Sequence, residues 1–249
     1  MGTMRSQVKK LLRAILRKNG HDLVRRFSYV GFDAYEDMAH YVTNSAPLLV
    51  DVGGNVGQTV ERLKQVFPNG RIHSFEPGPS AFQQLSRNTA GASDVTLWNC
   101  GVGAEPGRLS LYENSSTDMS SFLPLGEQGW GQIQREVEVD VVRLDDFAQQ
   151  NGIDFIDVLK CDTQGFEEAV FRGADRLLSE GRIGLVYFEV TLSGLYEGLP
   201  SLDELFRRLV DRGYRLVSIY DLNHQDGLLG WMDAMFVHTD YLAARRARA

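Results

Sequence analysis

The chain has 249 residues, 43% of them hydrophobic and 24% charged, which is typical of a soluble globular protein and fits one large α/β domain with a short extension. Its formal net charge of −7 argues against general binding to nucleic acid. No stretch is apolar over the roughly 18 residues that a membrane-spanning helix needs, and the N-terminus lacks the apolar core of a secretion signal. With only two cysteines, Cys100 and Cys161, we expect a reduced, cytoplasmic protein without a disulfide.

The first 47 residues are predicted to form a basic helical extension. Eight lysines and arginines but a single acid lie within residues 1–26, and the apolar residues of 5–18 recur at helical spacing. This amphipathic helix could pack on the main domain or on a second copy of the chain in a homodimer. Contact with a membrane surface, or a lid over an acidic substrate, is the alternative. Residues 241–249 form a basic tail.

From residue 48 to residue 240, apolar strands alternate with amphipathic helices. Strands joined by single helices run parallel in a sheet whose two faces are covered, and a final pair without a helix between adds one antiparallel strand. Two further alternating segments and the polar loop between them, residues 114–131, predict an added β-hairpin excursion. The sequence therefore predicts a Rossmann-like α/β fold with a mostly parallel, seven-stranded sheet. The strands of that sheet are predicted at Leu48–Val52, Arg71–Glu76, Val95–Cys100, Ile156–Cys161, Ile183–Val190, Tyr214–Tyr220 and Ala234–His238, and those of the excursion at Arg108–Glu113 and Glu136–Val142.

A glycine-rich turn follows the first strand. Gly53, Gly54 and Gly57 precede a predicted helix, and such a turn lets a ligand approach bare backbone. Glu76 ends the next strand about twenty residues later, the spacing at which a carboxylate can bind ribose hydroxyls. Together the two signals predict a nucleoside-type cofactor. A purely structural turn, and a helix N-terminal role for the acid before Pro77, are the alternatives.

The glycine spacing differs from that of dinucleotide-binding proteins. The fingerprint G-x-G-x-x-G would need glycine where Val52 stands, so a nicotinamide-dependent dehydrogenase is the less favoured interpretation. The form D-x-G-x-N-x-G, over residues 51–57, instead resembles the first motif of class I S-adenosylmethionine-dependent methyltransferases. A cofactor-binding scaffold without catalytic activity is a further alternative.

Longer segments resemble one family of that class, the FkbM-type methyltransferases. They include DVGGNVGQ at 51–58, HSFEPGPSAF at 73–82 and LKCDTQGFE at 159–167, and the resemblance extends over about residues 48–240. It implies the class I methyltransferase fold, S-adenosylmethionine as cofactor, and transfer of a methyl group to oxygen. Family acceptors are typically hydroxyls of sugars, polysaccharides or polyketide-like natural products, so we expect a small-molecule or glycan acceptor.

The resemblance and the predicted fold imply where the cofactor would lie. Asp51 would hold the methionine amino group, Glu76 would accept hydrogen bonds from the ribose, and adenine would lie against residues 100–102. Ser121 could close over the cofactor or be an ordinary solvated loop serine. The implied cofactor-binding residues are Asp51, Gly53, Asn55, Gly57, Glu76, Pro77, Cys100, Gly101, Val102 and Ser121.

Asp162 and Glu189 are the candidate catalytic carboxylates, because each lies at the end of a buried strand on the edge where ligands bind in such sheets. Either of them, or His224, could remove the hydroxyl proton as a general base. Alternatively, Asp162 and Glu189 could bind Mg²⁺, which would lower the pKa of the acceptor hydroxyl. We favour the metal-free route. An N-cap role for Asp162 and a solvated loop position for His224 are the structural alternatives.

Overall fold

The computed structural model describes residues 10, 12–19 and 30–246. Residues 10 and 12–18 are helical, in agreement with the helix predicted over residues 5–18. Residues 5–9 and 11 of that helix lie outside the described residues. Residues 247–249 of the predicted tail also lie outside them. Within the described chain, no helix combines the length and the apolar character needed to cross a membrane.

Two sheets account for the strands of the described residues. The central sheet has seven strands in the order β3-β2-β1-β7-β8-β10-β9, and the small sheet has three in the order β4-β6-β5. The strands are β1 Leu48–Val52, β2 Arg71–Phe75, β3 Val95–Trp98, β4 Gly101–Val102, β5 Gly107–Asn114, β6 Ile133–Val142, β7 Ile156–Cys161, β8 Ile183–Thr191, β9 Tyr214–Gln225 and β10 Leu228–His238.

The topology of the central sheet confirms the predicted class I methyltransferase fold. The neighbours β1, β2, β3, β7 and β8 pair in parallel, and β10 runs antiparallel to both β8 and β9. In the small sheet, β5 and β6 form the predicted antiparallel hairpin, and the short β4 adds to it in parallel. The strand order reverses between β1 and β7, so their carboxyl ends open a crevice at the edge where ligands bind in such sheets.

Helices cover both faces of the central sheet. The strands β1 and β7 are buried along their whole length, which explains why most of their residues are apolar; Asp51 in β1 and Asp157 and Lys160 in β7 are buried charged residues. One hydrophobic core lies on each face of the sheet. The helices are Ala34–Tyr41, Gln58–Val66, Pro79–Asn88, Leu144–Gln150, Glu167–Gly173, Asp175–Ser179, Leu202–Val210 and Thr239–Arg246, with a 3₁₀ turn at Thr117–Met119.

The last two strands are longer than the sequence predicts. The segment between Tyr220 and Ala234, predicted as a loop, instead forms the outer half of the β9–β10 hairpin. Asp226 and Gly227 make its two-residue turn, both at positive φ, 51° and 79°. The outer half of the hairpin is largely solvent-exposed, so polar residues interrupt the alternation of apolar residues by which a strand is recognised in a sequence.

The helix Ala34–Tyr41 packs on the domain core. Met38 is completely buried, and Asp37 accepts a hydrogen bond from the Tyr220 hydroxyl at 2.8 Å. Asp33 caps the helix, its side chain accepting from the backbone N–H groups of Tyr35 and Glu36. The predicted domain boundary at residue 48 stays a prediction. The helix Ala34–Tyr41, which precedes that boundary, packs into the hydrophobic core of the domain that follows it.

Candidate active site

A cavity opens at the carboxyl ends of β1, β2 and β7, bounded on the far side by β4 and by the loop between β5 and β6. It lies at the edge of the sheet where the sequence placed the cofactor. The sequence-predicted residues that line it are Gly53, Asn55, Glu76, Pro77, Gly101, Val102, Ser121 and Asp162.

The glycine turn brings the ends of β1 and β7 into close contact. The backbone N–H groups of Gly53 and Gly54 both donate to the Phe75 carbonyl, at 3.0 and 2.9 Å. Gly53 has a φ of 85°, and a Cβ atom there would lie 1.8 Å from the carbonyl oxygen of Asp162. Glycine is therefore required at position 53 by both backbone conformation and space.

Asn55 connects the glycine turn to Glu76. Its backbone N–H donates to Oε2 of Glu76 at 2.8 Å, and its own φ of 43° is uncommon for a residue with a side chain. Its side-chain oxygen, Oδ1, is buried and has no hydrogen-bond partner among the described residues. An unpaired buried acceptor is rare in folded proteins, and this one belongs to a residue of the cavity wall.

Glu76 is held at the cavity wall by two backbone donors. In addition to the bond from Asn55, its Oε1 accepts from the Gly78 N–H at 2.7 Å. Each oxygen thus uses one of about two acceptor positions, and the second remains available to a ligand. Burial raises the pKa of the Glu76 carboxyl to about 7, against the opposing effect of the two N–H donors.

A buried lysine, which the sequence reasoning missed, lies between two of the candidate carboxylates. Lys160 is 5% exposed, and its Nζ is 3.5 Å from Oδ1 of Asp51 and 3.3 Å from Oδ2 of Asp162. The Ser74 hydroxyl donates to the other oxygen of Asp51 at 2.7 Å. Asp51 itself is completely buried and lies behind the cavity wall that Lys160 helps to form.

A second missed residue, Gln164, joins Asp162 to Glu189. Its side-chain nitrogen donates to Oδ1 of Asp162 at 2.8 Å and to Oε1 of Glu189 at 3.1 Å. Its side-chain oxygen accepts from the Tyr196 hydroxyl at 2.8 Å, and its backbone oxygen accepts from the Ser121 hydroxyl at 2.7 Å. Gln164 adopts a φ of 56°, a conformation that four side-chain and backbone contacts hold in place.

Glu189 and Asp233 make the neighbouring part of the sheet edge acidic. They face each other in the register of β8 and β10, and the Tyr187 hydroxyl donates to Asp233 at 2.5 Å. Burial, followed by the charge of Asp162, raises the pKa of Glu189 well above its usual range. Burial also raises the pKa of Asp233, to about 7.

Five predicted site residues do not line the cavity: Asp51 and Glu189, which lie behind its wall, and Gly57, Cys100 and His224. Gly57 is the N-cap of the helix Gln58–Val66, with a φ of 102°. Cys100 is half-buried just before β4, and burial raises the pKa of its thiol to about 11. His224 lies exposed in the outer half of β9, paired with Leu229 of β10, and the structure does not bring it to the cavity as the general base.

The sequence did contain signals for the two missed residues. Lys160 is a charged residue inside a segment that otherwise reads as a fully buried strand, and such a lysine needs a buried partner. Gln164 precedes Gly165 in a turn at the ligand-binding edge. What the sequence could not supply was the identity of the partners from other strands, Asp51 of β1 for Lys160 and Glu189 of β8 for Gln164.

The two carboxylates proposed as alternative metal ligands do come together, with the Gln164 amide between them. The described part of the chain holds no cluster of three or more histidine, cysteine or acidic side chains suited to a metal ion. The amide nitrogen donates a hydrogen bond to each carboxylate, so one oxygen of each already has a donor where a shared cation would need it free.

Comparison with known proteins agrees with this architecture. A family model described as "Methyltransferase FkbM domain" matches residues 51–216, which is more than half of the chain. The 2-O-methyltransferase NoeI of Sinorhizobium fredii is 27% identical over 163 residues, covering 61% of this chain and 66% of that protein. Methyltransferase 1 of Beauveria bassiana is 31% identical over 160 residues, covering 57% and 64%.

A third relative, the 31-O-demethyl-FK506 methyltransferase FkbM of Streptomyces tacrolimicus, is 30% identical over 159 residues, covering 51% of this chain and 59% of that protein. The chain spans slightly less than two thirds of the length of each of these three relatives. The matched region contains the glycine turn, Glu76, Lys160 and Asp162. The chain belongs to the FkbM methyltransferase family.

Proposed function

We propose that this protein transfers a methyl group from S-adenosylmethionine to a hydroxyl oxygen of a small molecule or glycan. The observation that carries the proposal is the position of Glu76: a carboxylate at the end of β2, beside the glycine turn, with acceptor capacity left on both oxygens. That is the arrangement needed to accept hydrogen bonds from the two hydroxyls of a ribose.

The residues of the cavity fit this cofactor. Glu76 would bind the ribose hydroxyls, and the unpaired Oδ1 of Asn55 would accept a hydrogen bond from the amino group of the methionine part. Gly101 and Val102 offer backbone and apolar surface on the side assigned to adenine. When bound, the cofactor supplies an electrophilic methyl group on a positively charged sulfur.

The protein's contribution to the chemistry would come from Asp162. It reaches the cavity with a side chain that is 38% exposed, whereas Glu189 stands next to it behind the Gln164 amide. A neutral alcohol is a poor nucleophile, so the acceptor proton has to pass to a base as the new bond forms. We assign that role to Asp162, which the Gln164 amide joins to Glu189. Holding the hydroxyl in line with the methyl group would supply much of the remaining rate.

The relatives support oxygen as the methylated atom. The names of two of them, a 2-O-methyltransferase and a 31-O-demethyl-FK506 methyltransferase, describe O-methylation. We therefore propose a sugar or polyketide-like acceptor. A role for Mg²⁺ has less support, because the carboxylates that would bind it already share a hydrogen-bond donor.

Calorimetric titration with S-adenosylhomocysteine, with and without Mg²⁺, tests the proposal. We expect micromolar binding that Mg²⁺ does not change in the wild-type protein. Asp162→Ala should still bind but should transfer no methyl group to any hydroxyl acceptor that the wild type methylates. The absence of wild-type binding would refute the proposal and leave the glycine turn with a structural role.

Two other outcomes would favour the alternatives. Binding without methylation across a panel of glycan and polyketide hydroxyls would favour a catalytically inactive scaffold. A preference for NADH over S-adenosylhomocysteine would favour a dehydrogenase.

A further inference from the structure

Lys160 is a positive charge within the core of the sheet. It lies in β7, every residue of which is buried, and it forms part of the cavity wall. A buried ammonium is stable only when its charge is compensated and its protons are hydrogen-bonded. The groups around Lys160 therefore show what its charge is used for.

The ammonium contacts three oxygen atoms from two different parts of the site. Two belong to the cofactor end: Oδ1 of Asp51 at 3.5 Å and the backbone oxygen of Gly53 at 3.3 Å. The third is Oδ2 of Asp162, the proposed base, at 3.3 Å. Lys160 and Asp51 are direct neighbours in the parallel register of β7 and β1, so the backbone itself fixes this contact.

We propose that Lys160 is a positioning residue that holds the carboxylates of Asp51 and Asp162 in place across the boundary between the cofactor end and the acceptor end of the cavity. The proposal rests on the proposed function. Its physical basis is that the Lys160 ammonium contacts both carboxylates and the Gly53 carbonyl. The positions of the glycine turn and of the proposed base Asp162 are therefore both set by one residue of β7.

Lys160 does not serve as the base itself. Burial alone would lower the pKa of its ammonium, but the charges of Asp162 and Asp51 outweigh burial and raise that pKa above its ordinary value. The group therefore stays protonated over the physiological range. It provides fixed charge and three hydrogen-bond donors and accepts no proton.

Without Lys160, Asp51 would be an uncompensated charge in the core. Of the groups that face Asp51 from the neighbouring elements, Lys160 is the cation, and the others are neutral or acidic. These groups are Ser74 on β2, Glu76 at its end, Tyr35 on the helix Ala34–Tyr41, Lys160 on β7 and Asp162 beyond it. A completely buried carboxylate that loses its cation takes up a proton at higher pH.

The test is the affinity for S-adenosylhomocysteine between pH 6 and pH 9 in the wild type and three variants. Lys160→Met removes the charge, Lys160→Arg keeps it, and Lys64→Met removes a surface lysine that pairs with Asp94. We expect Lys160→Met to bind S-adenosylhomocysteine about tenfold or more weakly than the wild type at pH 7. As the pH is lowered, its affinity should begin to fall at a pH about one to three units higher than in the wild type. Lys160→Arg and Lys64→Met should follow the wild type.

Two results would overturn the proposal. One is unchanged affinity and an unchanged pH profile in Lys160→Met. The other is an equal loss of affinity at every pH in both Lys160 variants, which would indicate a structural role only. Failure of the wild type to bind S-adenosylhomocysteine would instead count against the proposed function, so the two failures are distinguishable.

A second measurement uses the wild-type protein and remains informative if Lys160→Met does not fold. Nitrogen-15 NMR of the lysine side chains should show one slowly exchanging ammonium that is missing from Lys160→Arg. Its resonance should shift when S-adenosylhomocysteine is added. A Lys160 ammonium that does not respond to the ligand would contradict a role at the boundary of the site.

Discussion

Glu76 is a buried side chain whose carboxylate oxygens each keep an acceptor position open. The two backbone N–H groups fix its orientation without filling its acceptor positions, and its burial keeps water from competing strongly for them. The same burial raises the pKa of its carboxyl to about 7, so the charged form is held at some expense in stability.

Replacing this residue is the most direct test of the cofactor site. Glu76→Ala should weaken S-adenosylhomocysteine binding by about 100-fold or more, because two hydrogen bonds to a charged acceptor are lost. Calorimetric titration measures the effect, and Glu61→Ala, a glutamate exposed on the helix Gln58–Val66, is the matched control. Equal affinity in Glu76→Ala and wild type would refute the ribose assignment.

At position 53 the structure accommodates only glycine. Gly53→Ala should destabilise the protein by about 3 kcal/mol or more, because backbone strain combines with a contact between Cβ and the Asp162 carbonyl. Gly152→Ala is the control: it has a φ of 63° but nothing within 4 Å of the added Cβ. It should cost only about 1–2 kcal/mol in urea unfolding, and similar losses in both variants would contradict the close contact of β1 and β7.

Among the elements, the helix Ala34–Tyr41 bears on the predicted domain boundary at residue 48, because it packs on the core. Its residue Met38 belongs to the core on one face of the sheet, alongside Leu63 and Met235. Met38→Ala should therefore lower the free energy of unfolding by about 2–5 kcal/mol. Leu216→Ala, at a side chain that is 44% exposed, should change it by less than about 1 kcal/mol. If Met38→Ala left the free energy of unfolding unchanged, the domain boundary would lie after this helix, as the sequence predicts.

At the scale of the whole molecule, several buried acids should invert the usual effect of mild acid on stability. Burial raises the pKa values of Glu76, Glu167 and Asp233 to about 7 each. Between the ordinary carboxyl pKa and pH 7, the folded state then binds more protons than the unfolded state. By linkage, stability falls as the pH rises through this range.

Ligand-free protein should accordingly have a higher Tm at pH 6.5 than at pH 8. A gain of about 1 kcal/mol corresponds to roughly 2–4 °C in a chain of this size. The comparison stops at pH 6.5, because burial lowers the pKa of His73 and its protonation acts in the opposite direction at lower pH. Differential scanning calorimetry measures the shift, and a Tm that rises steadily from pH 6.5 to pH 8 would contradict the assignment.

The strands of the sheet, the glycine turn and the position of Glu76 at a strand end can be predicted from the sequence, because each depends on local physics. Buried strands read as apolar runs, a turn at positive φ requires glycine, and a carboxylate that ends a strand has its place set by the strand. The full length of the two strands within residues 214–238 was not predicted, because the exposed outer half of the hairpin lacks such a pattern.

Which distant side chains contact one another depends on the tertiary structure. Lys160 meets the Gly53 carbonyl 107 positions away, and Gln164 meets Glu189 25 positions away, because pairing of β7 with β1 and β8 brings them together. His224 is exposed because the β9–β10 hairpin extends beyond the core, and Met38 is buried because its helix packs on one face of the sheet. Strand register and packing arise from the whole set of long-range contacts, which no local pattern in the sequence encodes.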